Sequence, residues 1–353
     1  MMRNFTFPGM TSRVVFGSGT ITQVGDEVAL LGHSRVLILS TAHQQAEAEA
    51  LAKQLGPLCA GVFAGAVMHT PVEVTQTAVA AYKDAKATAV VSLGGGSTTG
   101  LGKAIATRTG ADQVVVPTTY AGSEMTDILG ETAGGEKTTR RDASIRPEVV
   151  IYDVDLTLGL PIGLTMTSAL NAIAHAMEAF YAPDRNPVVD LMCRDALVQF
   201  RDALPVLVTD PRNHDARAKA LYAAWCCSTA LGQVSMALHH KLAHVLGGSF
   251  NMSHAETHAV LLPHTTSFNA TTVPDLLRPI ADTFGAGAGS GLWDFAKSIG
   301  APQRLADLGL TEADLDRAAE ISVRNPYANP RPFGQADIRK LLQDAYDGRR
   351  PSD

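Results

Sequence analysis

Histidine is the chemistry-bearing residue of this chain, and it is bunched. Of eleven histidines, His239, His240, His244, His254 and His258 fall within a few helical turns of one another, with His264 just beyond. Residues four apart share one face of a helix. His240 and His244 therefore point together, as do Asn171 and His175 upstream. Imidazoles gathered like this serve either a metal or proton transfer. A metal site would draw on Asn171 or His175 together with His240, His244 and His254. Its one non-histidine member is an uncharged amide, whereas catalytic dications are commonly held by at least one carboxylate. The string His254-Ala255-Glu256-Thr257-His258 is not the H-E-x-x-H of a zinc protease, because its glutamate is displaced by one position. His239, His258 and His264 read as satisfied core or surface groups.

A second constellation precedes the first. Gly94-Gly95-Gly96-Ser97-Thr98-Thr99 follows the apolar run 89–93 and opens a helix. Glycines there let a phosphate approach the backbone, and the helix start offers free N–H groups. Neither nucleotide fingerprint is complete. G-x-G-x-x-G ends on Thr99, and a P-loop around Gly102-Lys103 has Ser97 for its first glycine and Ala104 for its magnesium-binding hydroxyl. Thr118-Thr119-Tyr120-Ala121-Gly122-Ser123-Glu124 follows the next strand and would face the same ligand. At the end of the first βα unit, where a ribose-binding acid would sit, stand Ser40 and Thr41. That permits NADPH as well as NADH.

The elements that position these residues fall into two groups. Residues 1–20 read as short strands, and compact apolar runs at 35–40, 62–64, 89–93, 113–117 and 149–153 read as buried strands. Between them lie helical patterns at 21–32, 43–55 and 73–86, and one from the glycine turn through 105. Alternation of this kind implies a parallel sheet covered on both faces, a Rossmann-like α/β nucleotide-binding domain. After Pro161 the pattern is helical only. The expected organisation is an α/β domain over 1–162 and an all-helical domain over 163–353 carrying the histidines, with the active site in the cleft between them. Gly285–Gly291 reads as a flexible loop, Thr311-Glu312-Ala313-Asp314 as a helix start, and the proline-punctuated stretch 324–332 as a loop.

Composition excludes several functions. Apolar residues make up 46% and charged residues 18%, with net charge -6 and no basic run, which argues against nucleic acid. No apolar run spans a membrane, and the N-terminus lacks the apolar core of a signal peptide. Cys59, Cys193, Cys226 and Cys227 form no CxxC, so a reduced, cytoplasmic protein is expected.

Taken together, Gly94–Ser97, Pro117–Thr126, the histidine segments and Asn325-Pro326-Tyr327-Ala328-Asn329-Pro330-Arg331-Pro332 resemble the iron-containing (group III) alcohol dehydrogenases. The dehydroquinate synthase-like architecture is shared by that family. Within it the chain looks like the maleylacetate-reducing branch. The resemblance implies NADH- or NADPH-dependent reduction of the carbon–carbon double bond of maleylacetate to 3-oxoadipate during aromatic-compound breakdown, by a homodimer. The family's metal is held by an Asp and three His, which fall here on Asn171, His175, His240 and His254. Asn171 departs from that set in the way the maleylacetate-reducing branch does, so no metal is expected. His244 matches a histidine near the nicotinamide. Gly95, Gly96, Ser97, Thr118, Thr119, Ser123 and Lys137 are implied dinucleotide contacts, with Ser40 and Thr41 beside them. His244, His175, His240 and His254 are the expected catalytic groups. For the dicarboxylate substrate the candidates are Asn171, Tyr120, Lys241 and Arg324, along with Arg331 and protonated histidines of the cluster. A metal-dependent alcohol or polyol dehydrogenase of the same fold is the alternative.

Overall fold

A computed structural model of the chain describes residues 4–134, 136–285, 287–325 and 327–352, but not the side chains of residues 136 and 137. Two compact units divide it: Gly9–Leu160 and a helical unit from Pro161 onward, with which residues 4–8 also cluster. Of the described residues expected in the α/β domain over 1–162, residues 4–8 therefore group with the helical unit.

The first unit is built on β1 (Arg13–Gly17), α1 (Val24–Leu30), β2 (Val36–Leu39), α2 (Gln45–Leu55), β3 (Cys59–Phe63), α3 (Val72–Asp84), β4 (Ala89–Gly94), α4 (Gly96–Thr109), β5 (Asp112–Pro117), β6 (Ile128–Ala133), β7 (Glu136–Arg141) and β8 (Val149–Asp153). Six strands form one sheet in the order β1-β8-β5-β4-β2-β3, every pair parallel. Alternate residues face opposite ways. Ile38, Val91, Val114 and Ile151 pack with Val28 and Leu51 on one face. Leu37, Leu39 and Val90 pack with Tyr82, Leu101 and Ile105 on the other. Burial on both faces is why β2, β4 and β8 read as unbroken apolar runs. The hairpin β6–β7 is antiparallel and separate from the sheet. It escaped the sequence reading because its strands, Ile-Leu-Gly-Glu-Thr-Ala and Glu-Lys-Thr-Thr-Arg-Arg, are charged and only partly buried.

The chain leaves β2 for β3 at one edge and returns on the opposite side of β2 as β4. That reversal is a topological switch point, where open α/β sheets bind ligands beyond the carboxyl ends of their strands. Here those ends are Ser40-Thr41 and Gly94–Ser97.

The helical unit contains α5 (Ile162–Tyr181), α6 (Pro187–Thr209), α7 (His214–Gln233), α8 (Leu238–Phe250), α9 (His254–Ala270), α10 (Pro274–Phe284), α11 (Ala288–Ser298), α12 (Asp314–Val323) and α13 (Gln335–Asp347). From Thr165 onward every residue of α5 is buried, its polar Asn171, His175 and Glu178 included, so it is a central helix. No helix among the described residues is long and apolar enough to cross a membrane. The expected flexible loop at Gly285–Gly291 is mostly helix, since α11 begins at Ala288. Its glycines serve close packing. A Cβ on Gly289 would come within 2.7 Å of the Pro263 carbonyl oxygen in α9, and one on Gly291 within 2.0 Å of the Gly285 carbonyl.

Candidate active site

In the sheet unit, the glycine turn is shaped by contacts that leave no room for side chains. Gly94 has φ +146, and a Cβ there would lie 2.6 Å from Thr98 Oγ1. Gly95 passes under Thr119, with a hypothetical Cβ 3.0 Å from its side chain. The Gly95 carbonyl accepts from Thr98 N–H at 3.1 Å and from Thr98 Oγ1 at 2.8 Å, which starts α4. Thr118 N–H donates to the Gly94 carbonyl at 3.0 Å, fastening the second hydroxyl loop to the first turn. Gly96 is exposed and Ser97 half-buried, so the first turn of α4 is open to a ligand. Its free N–H groups and positive end suit a phosphate. Thr119 and Ser123 are half-buried, Thr118 is buried, and Ser40 and Thr41 lie at the end of β2. Gln44 was not foreseen. Its amide donates to Thr118 Oγ1 at 3.2 Å, bridging the end of β2 to this loop. The side chain of Lys137 lies outside the described residues. Tyr120 is fully buried and offers no face to solvent.

The helical unit brings the histidines together. His175 stacks on His240 with ring centroids 5.1 Å apart, His240 meets His244 edge-on at 6.3 Å, and His244 stacks on His254 at 6.4 Å. The four expected catalytic imidazoles thus form a continuous row, buried at His175 and His240, half-buried at His254 and exposed at His244. Asn171 is buried one turn ahead of His175 on α5.

The organiser of this row is Glu178, also unforeseen. Its carboxylate is wholly buried and accepts from Ala237 N–H at 2.8 Å, His239 N–H at 2.7 Å, His240 Nδ1 at 2.6 Å and Tyr181 OH at 3.2 Å. Two of these donors are backbone groups at the start of α8, where a negative charge is favoured. Burial acts to raise the Glu178 pKa, but the bond from His240, the neighbouring imidazoles and the Ala237 N–H outweigh it and hold it below its ordinary value. The signal was present in the sequence: Glu178 is the one charged residue in the twenty of α5.

His239 and His258 join the cluster rather than standing apart as ordinary core. His239 Nε2 and His258 Nδ1 share a hydrogen bond of 2.8 Å, and the two rings contact His240. Burial pushes His239 down to about 3 and His175 and His258 well below the usual histidine value, with nearby imidazoles adding to the effect. These three are neutral near pH 7. The expectation that protonated histidines of the cluster hold a substrate carboxylate therefore fails for them, because full burial disfavours the cation. His264, buried and held near 4, lies outside the row of ring contacts.

Of the expected cationic partners, Lys241 is half-buried with Nζ 5.9 Å above the Tyr327 ring. Arg324 is exposed and paired with Glu320 one turn away on α12, so it is a surface residue. Arg331 stacks 4.0 Å over Phe268 and donates to the Phe268 carbonyl, which fixes it to the end of α9. Pro326, within the expected Asn-Pro-Tyr segment, lies outside the described residues.

The metal reading can be tested on the donor set. His175 Nδ1 and His240 Nε2 are buried without hydrogen-bond partners, as ligand nitrogens would be. Among the described residues, however, no three His, Cys, Asp or Glu side chains are arranged to hold an ion. The position that would supply the balancing charge is Asn171. A dication held by this set would have no carboxylate ligand to balance its charge.

A parallel-sheet nucleotide unit followed by a helical histidine unit matches the known proteins on both counts. The iron-containing alcohol dehydrogenase model matches residues 11–154, and the C-terminal model of the same family matches 165–346. The chain belongs to the iron-containing alcohol dehydrogenase family. Within the family it is 57% identical to the maleylacetate reductase of Rhizobium sp. (strain MTP-10005), over 99% of this chain and all of that one. It is 48% identical to maleylacetate reductase 1 of Rhodococcus opacus over 98% of each. The solved maleylacetate reductase of Agrobacterium tumefaciens superposes with a TM-score of 0.96 at 56% identity, covering 99% of this chain and all of that one.

Proposed function

We propose that the chain reduces maleylacetate to 3-oxoadipate with NADH or NADPH. The full-length identity to maleylacetate reductases carries this reading. The glycine turn with its hydroxyl loop supplies a place for the dinucleotide, and the histidine row supplies a polar wall for a dicarboxylate enone. A nicotinamide dinucleotide held by Gly95, Gly96, Ser97, Thr118, Thr119 and Ser123 would supply hydride to the alkene carbon remote from the ketone. The electron pair of the double bond moves toward the ketone, which becomes an enolate, and a proton then adds to the carbon next to it. The enone is thereby reduced by two electrons, which the dinucleotide would supply.

Conjugation spreads the developing charge, so hydrogen-bond donors at the oxyanion suffice in place of a Lewis acid. We assign that role to His244 and His254, and what supports it is their exposure at the open end of the row. Lys241, next to His240 on α8 and half-buried with Nζ 5.9 Å above the Tyr327 ring, serves a carboxylate. The protein is proposed to act as a homodimer in the cytoplasm. The test is oxidation of NADH and of NADPH with maleylacetate, before and after EDTA. The reading requires substrate-dependent turnover that survives chelation. Turnover of simple alcohols that EDTA abolishes would favour the metal-dependent alternative.

A further inference from the structure

The lysine of the incomplete P-loop is not at the glycine turn. Lys103 lies two turns into α4 and its side chain is fully buried. Its Nζ donates to the Ser123 carbonyl at 2.6 Å, Thr126 Oγ1 at 2.8 Å and the Ile128 carbonyl at 3.0 Å, with Ser123 Oγ at 3.4 Å. An ammonium has three N–H groups, and the three shortest of these contacts take them all. The charged groups facing it are Glu124, Asp127 and Arg146. Glu124 is engaged by Tyr152 OH at 2.9 Å, and Asp127 by Arg141 and Arg146 at 3.4 Å each. Desolvating a cation this completely is costly, and an apolar side chain of the same size would avoid the cost.

We infer that Lys103 is a positioning residue for the dinucleotide: its ammonium ties α4, whose first turn carries Gly96 and Ser97, to the segment carrying Thr118, Thr119 and Ser123. Beside the Thr118 N–H bond to the Gly94 carbonyl, the two halves of the grip are thereby held in register by a buried side chain. This rests on the proposed cofactor reading of those residues. Burial lowers the Lys103 pKa to about 7, against the pull of Glu124 and Asp127. The unfolded chain then binds more protons than the folded one between about 7 and 10.5, so the lysine's contribution to fold stability rises with pH across that window. The tie itself weakens across the same window, as one N–H and the charge are lost. Stability and cofactor affinity are thus driven in opposite directions.

The experiment is NADH affinity, read by nicotinamide fluorescence on the full chain at pH 6.5 and pH 9, beside the melting midpoint. Lys103→Met is expected to weaken NADH by about tenfold to a hundredfold at pH 6.5, the range for losing a buried charged hydrogen-bonding group. Wild-type affinity falls on going to pH 9, while the variant is flat. Lys103→Arg recovers part of the affinity and removes the pH dependence. Lys103→Met binding as tightly as wild type overturns the inference, and so does a flat wild-type profile. Should the methionine variant not fold, the wild-type profile and the arginine variant decide. Wild-type protein that binds neither NADH nor NADPH at any pH would instead sink the cofactor reading itself.

Discussion

Replacing Glu178 with glutamine changes one atom and removes one charge, in a place where neither change can be absorbed. The carboxylate has two donors on each oxygen: His239 N–H and Tyr181 OH on Oε1, Ala237 N–H and His240 Nδ1 on Oε2. An amide has one acceptor oxygen. If it takes the Oε1 place, the NH2 group confronts Ala237 N–H and His240 Nδ1. His240 can respond by moving its proton to Nε2, but Ala237 cannot. If the oxygen takes the Oε2 place, Tyr181 OH can turn, but His239 N–H is left facing a donor. Either way one backbone N–H at the start of α8 is orphaned. An unsatisfied buried donor costs about 1–3 kcal/mol, and bonds to a charged group contribute about 1.5–3 kcal/mol. A loss of about 2–5 kcal/mol is expected, a large share of the roughly 5–15 kcal/mol that holds a domain folded. Urea unfolding followed by far-UV circular dichroism measures it. In the first arrangement His240 Nε2 also changes from acceptor to donor, so turnover with maleylacetate should drop even where the variant is folded. A Glu178→Gln protein within about 0.5 kcal/mol of wild type, with unchanged kcat, would refute the role given to the carboxylate.

His244→Ala removes the exposed imidazole of the row and should slow turnover on the order of a hundredfold, since one oxyanion donor is worth about 3–4 kcal/mol; near-normal kcat would take His244 out of the mechanism. Buried His175, His239, His258 and His264 have depressed folded-state values, so the unfolded chain binds the extra protons once pH drops below about 6.5. Stability should therefore decline by about 1.4 kcal/mol per pH unit for each histidine as pH falls from 6.5 toward 4, and a melting midpoint equal at pH 7 and pH 5 would contradict their burial as neutral rings. Asn171→Asp restores the charge missing from the family's metal set, so the variant should gain zinc or ferrous iron on dialysis and elemental analysis while the parent does not; equal metal content in both would show that residue 171 does not decide.

The sheet was legible because its strands are buried on both faces, which turns β2, β4, β5 and β8 into apolar runs that periodicity finds directly. The glycine turn was legible for a related reason, because Gly94 occupies a backbone position where no Cβ fits and Gly95 passes tightly under Thr119. The same residue type misled at Gly285–Gly291. Glycine at a helix crossing and glycine in a loop look alike until the neighbouring helix is known, and Gly289 is fixed by α9 rather than by its own segment. Glu178 and Gln44, and the role of Lys103, were missed because the partners cited for them lie 20 to 74 residues away in sequence. A lone carboxylate in the apolar helix α5 was the one available clue. Arg324 was over-read. An arginine four residues after a glutamate on a helix is more simply an exposed pair, and that is where it lies.

Hydrogen-bond directions inside the cluster bear on what residue 171 does. Thr265 Oγ1 lies 2.9 Å from His239 Nδ1, and His239 Nε2 lies 2.8 Å from His258 Nδ1, so a hydrogen-bonded chain runs through the two rings. It ends at His258 Nε2, which is buried without a hydrogen-bond partner. Glu178, able only to accept, takes a proton from His240 Nδ1, and His240 Nε2 is buried without a hydrogen-bond partner. The buried tier thus presents ring nitrogens that no protein group satisfies. A carboxylate at position 171 would add further acceptors, and the assembly would suit a cation. An amide instead brings N–H donors to the same place and no charge to repel an enolate. With Asn171 the donors needed for an oxyanion can come from the amide and from the outer pair His244 and His254. With aspartate in its place, the same histidines would be committed to a metal.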